Sequence, residues 1–196
     1  MTFTGDYFKE VQAIAKAMDI QKIDQLATEL AALRERKGRL FVLGVGGSAA
    51  NASHAVNDFR KLCNIEAHAP TDNVAYLTAI TNDDGWKMFF LEWLGSSNLN
   101  SKDAILILSV GGGNARKKVS VGLSLAMILA RRVNANIFGI VGRSDGDTYK
   151  MADLCICVPA TISSASRITP HSEAFQSVIW HSLVSNPILQ LRPTKW

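Results

Sequence analysis

The sequence predicts a three-layer α/β/α protein built on a five-stranded parallel sheet. Three observations carry that expectation. From residue 38 onward, short apolar runs alternate with segments of helical period, the pattern left by repeated strand–helix–strand units. The runs are continuously apolar rather than alternating, as strands covered on both faces are. Two of them end in glycine-rich turns that lead into the next helical segment.

The elements follow in order. Residues 4–18 place Phe8, Val11, Ile14, Ala15 and Met18 on one helical face. Residues 21–37 repeat Ile23, Leu26, Leu30 and Leu33 at the same period, and Gly38 stops the helix. Residues 40–43 are of strand length and end in Gly44; a helix is expected over 48–63 and a short strand over 66–69. Helical pattern then runs over 72–80, with an extension to 95. A strand over 104–108 leads into a helix over 114–133, a strand over 137–141 into a short helix over 145–152. The last strand, 154–158, ends at Pro159. The final helix, 170–185, begins near Thr169 and Pro170, where an early proline is tolerated. The chain reads as one domain over 1–196: a helical segment over 1–37, the α/β core over 38–186 and a loose or partner-docked tail over 187–196. No repeat, low-complexity segment or linker interrupts it.

Composition narrows the function classes. The chain has 196 residues, 47% hydrophobic and 19% charged, which suits one packed domain and excludes disorder. The net charge of +4 suits a small anion such as a phosphate ester as well as it suits nucleic acid. The tightest basic cluster, Arg116-Lys117-Lys118, reads as a solvated helix face, so no nucleic-acid partner is expected. The N-terminus has charged residues among its apolar ones, unlike a signal peptide, and no uninterrupted apolar stretch reaches the ~18 residues of a membrane span. No membrane partner is expected. The cysteines, Cys63, Cys155 and Cys157, are odd in number and lack a Cys-x-x-Cys pair, so they read as buried thiols of a cytoplasmic protein.

Two glycine turns are candidate ligand sites. Gly44-Val45-Gly46-Gly47-Ser48 follows the first strand and opens a helix, and Ser109-Val110-Gly111-Gly112-Gly113-Asn114 repeats the arrangement after a later strand. Glycines let a ligand approach main-chain N–H groups, and a helix N-terminus adds about half a positive charge. Neither turn is a dinucleotide fingerprint or a Walker A loop. Ordinary strand-to-helix turns are the plainer reading. His54 and Asp58 are spaced by one helical turn, as are Glu173, Ser177 and His181, so each set projects from one face. Two imidazoles and two carboxylates from two helices suit a divalent ion, zinc above all, and equally acid–base chemistry; a surface or capping pair is the alternative. Asn82-Asp83-Asp84-Gly85 reads as a polar turn. His68 and His171 lack such partners and are expected at the surface.

The run Gly44-Val45-Gly46-Gly47-Ser48-Ala49-Ala50-Asn51-Ala52-Ser53-His54 resembles the Gly-Asn-Gly-Gly-Ser…His motif of sugar isomerase (SIS) domains, and of their phosphoheptose isomerase group in particular. Asp72-Asn73-Val74 with Leu77-Thr78-Ala79-Ile80-Thr81-Asn82-Asp83, the strand run from Asp103 to Ser109, and Met151-Ala152-Asp153-Leu154 are similar to that group too. The resemblance implies a flavodoxin-like SIS fold whose N-terminal helices pack in an oligomer, a homotetramer with zinc-holding active sites between subunits. It implies that Val45, Gly46, Gly47 and Ser48 contact a phosphorylated sugar, that Asn82 and Asp83 are a substrate-binding pair, and that Ser109, Val110, Gly111 and Asn114 form the phosphate loop. By the same resemblance His54 is a zinc ligand, Asp58 stands at a catalytic and metal-binding glutamate, and Glu173 stands at a glutamine that binds substrate and metal. His181 stands at the second catalytic residue, also a ligand. The implied reaction is aldose–ketose isomerisation through an enediol, sedoheptulose 7-phosphate to heptose 7-phosphate in that group. The chain departs from the pattern at Val45, at the shorter Asp58, at the added charge of Glu173, and at Val110, Gly111 and Gly113, where the family has hydroxyls. Arg116 or Lys117 can compensate there. A divergent isomerase is therefore expected. A non-catalytic tetrameric scaffold, like the relative that binds the bacterial replication initiator, is the alternative; a sugar-phosphate-sensing regulator ranks last.

Overall fold

The computed structural model describes residues 2–194. Helix α1 (Phe3–Lys16) starts at Thr2, whose hydroxyl accepts the amide of Gly5 at 3.2 Å, and α2 (Ile20–Glu35) starts at Asp19, which accepts that of Lys22 at 3.2 Å. These side chains satisfy amides that the first helical turn leaves unpaired. Strand β1 (Leu40–Gly44) leads into α3 (Gly47–Cys63), then β2 (Ala67–His68). Next come α4 (Val74–Asp83) and α5 (Phe89–Ser96), β3 (Ala104–Ser109) and α6 (Val121–Arg132). Strand β4 (Asn136–Val141), α7 (Asp147–Met151), β5 (Leu154–Cys157) and α8 (Ile168–Val184) complete the order.

All four strand pairings are parallel, and the sheet order is β2-β1-β3-β4-β5. The chain moves outward in opposite directions from β1 and β3. The crevice at the carboxyl ends of those two strands is the switch point where ligands bind in such sheets. Each face has its own apolar layer. Leu26, Leu30, Phe59, Ile179 and Trp180 pack from α2, α3 and α8 on one side. Phe89, Phe90, Leu123 and Met127 pack from α5 and α6 on the other. This is the expected three-layer architecture.

Several local expectations need correction. The helical pattern over 72–95 is broken into α4 and α5 at Asp84 and Gly85, so Asn82 and Asp83 end a helix rather than lying wholly in a turn. The helix expected from 114 begins at 121. Asn114 and Val119 instead exchange backbone hydrogen bonds (2.8 and 3.0 Å), and the Asn114 side chain accepts the amide of Lys117 at 2.8 Å. Such side-chain capture of the backbone competes with a helix. Arg116, Lys117 and Lys118 are thus on a loop, not a helix face.

His171 is fully buried, not exposed: its Nε2 lies 2.8 Å from Glu10 Oε2 and its ring stacks on Tyr7 at 4.4 Å. His68 is half-buried, 3.1 Å from Glu66 and stacked on Phe41. Cys63 and Cys155 are buried and Cys157 is half-buried, all three as free thiols. Residues 187–192 are docked on their own chain. Leu189 is fully buried, and the Arg34 guanidinium donates to the carbonyls of Leu189 (2.7 Å) and Ile188 (3.1 Å). Residues 195–196 of the expected tail lie outside the described residues. Among the described residues no helix is long and apolar enough to cross a membrane.

Candidate active site

The site grows from the turn between β1 and α3. Gly46 adopts φ +64° and ψ −130°, a conformation open essentially to glycine, and reverses the chain between strand and helix. Gly47 opens α3 and has the Glu173 carboxylate against its Cα: a Cβ built there would lie 2.5 Å from Oε2 and 2.8 Å from Oε1. Glu173 thus sits at the positive end of α3, which favours an anion. Ser48 is buried, while Val45 is exposed.

Asn51, one turn further along α3, joins it to α8. Its amide donates to the Glu173 carbonyl (2.9 Å) and to Gln176 Oε1 (3.0 Å), and its oxygen accepts the Ser177 hydroxyl (2.8 Å). Three bonds to one side chain set the register between the helices. That register brings His54 and Asp58 of α3 beside His181 of α8. One ligand atom from each of the three lies within 4.8 Å of the others. His54 Nε2 is 3.7 Å from Asp58 Oδ2, while Asp58 Oδ1 accepts the Asn57 amide at 2.8 Å. The His54 and His181 rings stand perpendicular, 5.4 Å apart. Trp180, fully buried, stacks on His181 at 3.5 Å and meets His54 edge-on at 4.6 Å.

His181 Nδ1 lies 2.8 Å from the Ser177 carbonyl. A carbonyl only accepts, so Nδ1 carries the proton, and in the neutral ring Nε2 presents its lone pair. That is the state a metal ligand or a proton acceptor requires. Two imidazoles and a carboxylate make up the three-ligand donor set of a catalytic zinc, with a coordination position left for substrate. The residues therefore fit the metal.

The sequence-derived set divides. His54, Asp58 and His181 converge. Glu173 stands about two turns away on α8, at Gly47. Asn82 and Asp83 bond to each other (Asn82 Nδ2 to Asp83 Oδ1, 2.8 Å) at the exposed end of α4, where Asn82 borders an open groove with Leu77 and Trp86. In the second turn, Ser109 Oγ accepts the Gly112 amide at 3.0 Å, and the Ser109 and Val110 carbonyls accept the Gly142 amide. Gly111 and Asn114 border a separate small cleft. Sequence spacing did not single out Asn51, Gln176 or Trp180. Asn51 lies one turn before His54, and a polar residue at that position of a packed helix is the signal available for it.

Residues 6–140 match the SIS domain family, and the chain belongs to that family. Within it, the chain is a member of the phosphoheptose isomerase group. It is 31% identical over 176 residues to the phosphoheptose isomerase of Roseiflexus sp. (strain RS-1), covering 81% of this chain and 83% of that relative. It is also 31% identical to the phosphoheptose isomerase of Akkermansia muciniphila, over 80% and 79% of the two chains. The structure of a phosphoheptose isomerase from Francisella tularensis superposes with a TM-score of 0.79 at 24% identity, covering 96% of this chain and 98% of that one, a likeness of fold.

Proposed function

We propose that this protein is a zinc-dependent isomerase that interconverts an aldose and a ketose sugar phosphate through an enediol. Sedoheptulose 7-phosphate is the first candidate substrate, since two relatives 31% identical to this chain are named phosphoheptose isomerases. The observation that carries the reading is the convergence of His54, Asp58 and His181 from α8 and from α3, the helix that the glycine turn opens at the sheet's switch point.

The residues divide the work. Amides at the start of α3, over Val45 to Ser48, orient the sugar, and the Glu173 carboxylate beside Gly47 accepts a sugar hydroxyl. Asn82 and Asp83 supply further hydroxyl contacts. His181 Nδ1 faces the Ser177 carbonyl, so Nε2 is the ring atom turned to the site: it takes the proton from the carbon next to the carbonyl and returns it to the neighbouring carbon, or, with zinc bound, serves as a ligand and leaves the proton transfer to Asp58. Asp58 takes the complementary role, moving the proton between the two substrate oxygens. Such positioned proton transfers contribute about 10²–10⁴-fold. His54, Asp58 and His181 would hold the zinc, which polarises the sugar carbonyl when bound.

The cluster lies open on this chain, with the His54 side chain 58% exposed. Helix α4 buries none of its residues and exposes Val74. Both features support a homo-oligomer, a tetramer in the family pattern, whose neighbouring subunits close the site. The free cysteines support a cytoplasmic location.

The test is metal analysis of the purified protein together with turnover of sedoheptulose 7-phosphate followed by NMR. Wild type should hold zinc and convert the sugar, while Asp58→Ala and His181→Ala should each lose metal and activity. Metal content unchanged in both variants would overturn the cage. An absence of turnover of any ketose or aldose phosphate by the metal-loaded protein would leave a non-catalytic sugar-binding scaffold.

A further inference from the structure

A metal-ligating imidazole is normally oriented by a hydrogen bond at its second ring nitrogen. His181 has that bond, at the Ser177 carbonyl. His54 does not. Its Nε2 lies 3.7 Å from Asp58 Oδ2, beyond hydrogen-bond length, and no other polar group bonds its ring among the described residues. What touches His54 is aromatic.

Trp180 meets both imidazoles. Its ring centroid is 3.5 Å from that of His181, with the planes 29° apart, and 4.6 Å from that of His54, at 65°. Stacked and edge-on contacts are the arrangements that aromatic pairs favour. Trp180 and His181 are neighbours in α8, whereas His54 belongs to α3. The indole therefore bridges the two helices at the level of the site. It is fully buried, in the layer that contains Leu26, Leu30, Phe59 and Ile179, and a close-packed interior leaves such a ring no room to turn. Two exposed imidazoles lean on one fixed wall.

An indole is poorly suited to filling this layer for its own sake. Its Nε1 is buried with no hydrogen-bond partner among the described residues, and an unpaired buried N–H destabilises a fold. Phenylalanine or leucine would fill the layer with no polar atom stranded. The larger ring differs in its reach, which takes it to an imidazole on each helix.

We infer that Trp180 is a positioning residue for the metal: its indole holds His54 and His181 in the orientation that binds zinc, supplying for His54 what a hydrogen bond supplies for His181. This rests on the zinc reading above. A fully buried ring does not touch the sugar, so Trp180 acts on metal affinity and leaves sugar binding alone.

The test is zinc titration of the full chain, stripped of metal, in competition with a chromophoric chelator. Wild type, Trp180→Phe and Trp180→Leu are compared, with circular dichroism to verify that each is folded. Trp180→Leu should bind zinc about 10- to 100-fold more weakly, the loss usual when the group that orients a metal ligand is removed. Trp180→Phe keeps a ring in the layer and should recover part of that loss. At saturating zinc both variants should regain wild-type kcat at an unchanged KM for sedoheptulose 7-phosphate, because the bound metal itself draws the imidazoles together. A ring that only fills the core would lower Tm and leave the zinc affinity of the folded protein as it was. Unaltered affinity in folded Trp180→Leu would therefore overturn the assignment while the metal reading stands. Equal weakening in the two variants would overturn it too, since the cause would be packing volume and not the aromatic contact. If Trp180→Leu does not fold, indole fluorescence decides. Zinc added to stripped wild type should change an emission component that Trp180→Phe lacks, and identical changes in both proteins would refute the contact. Wild type that binds no zinc would bring down the metal reading and this assignment together.

Discussion

Gly47→Ala isolates the placement of one carboxylate from the stability of the fold. The added Cβ would lie 2.5 Å from Glu173 Oε2 and 2.7 Å from its Cδ, whereas ordinary contact begins at 3.4 Å. The carboxylate must therefore withdraw by roughly 1 Å, and misplacement on that scale costs on the order of 100-fold in rate. Stability should not suffer. Gly47 is exposed, its φ is not in the left-handed region, and the clashing atoms are the end of a flexible side chain. Alanine in a helix is favoured over glycine by up to about 1 kcal/mol. The expected result is an unchanged or slightly raised Tm with kcat/KM on the sugar phosphate down by about two orders of magnitude. A double variant with Glu173→Ala should be no worse than Glu173→Ala alone, because the two act through one group. Wild-type kcat/KM in Gly47→Ala, with Tm preserved, would refute the placement of Glu173 in the site.

Three further outcomes follow from the same contacts. Asn51→Ala removes the three bonds between α3 and α8 and leaves the buried Gln176 amide without its partner, so unfolding free energy should fall by about 1–3 kcal/mol, read by denaturant melts. Its activity should fall further than its stability does, since the register of His54 against His181 is lost. Arg167 and His171 hold the Glu10 carboxyl down at about 2, from an ordinary 4.5. Its stabilisation is complete above pH 4.5 and disappears as pH falls toward 2, so Tm should drop across that window more steeply in wild type than in Glu10→Gln. Burial pushes the Cys63 and Cys155 thiols up to about 11 and about 12, so native protein at pH 8 should react slowly at both with a disulfide reagent, and fast labelling of either would contradict their burial.

The sheet was legible because its strands are covered on both faces and so leave unbroken apolar runs such as Ala104 to Leu108, bounded by glycine. Helix α2 was legible from the spacing of Leu26, Leu30 and Leu33. Structure departs from periodicity where local polar bonding overrides it. Asn114 captures the backbone at Lys117, and a helical pattern that runs on from 114 becomes a loop until 121. The burial of His171 leaves no trace in the sequence around it, because nothing near it along the chain is its partner. Glu10 is 161 residues away and arrives only when α1 docks on α8. Spacing within a helix can be read from a sequence; the register between two helices cannot.

That distinction bears on the site itself. The four-residue spacings of His54 with Asp58 and of Ser177 with His181 fix only which residues share a face. Whether the faces meet depends on Asn51, which binds α8 at a carbonyl, an amide and a hydroxyl within one turn. The Ser177 that answers Asn51 through its hydroxyl also holds His181 Nδ1 through its carbonyl. One residue thus sets both the height of α8 against α3 and the tautomer of the imidazole that α8 delivers. Sliding α8 by a single residue, about 1.5 Å, would break the Asn51 contacts and carry His181 away from His54 and Asp58 together. Helix register and proton placement are consequently one structural property in this protein.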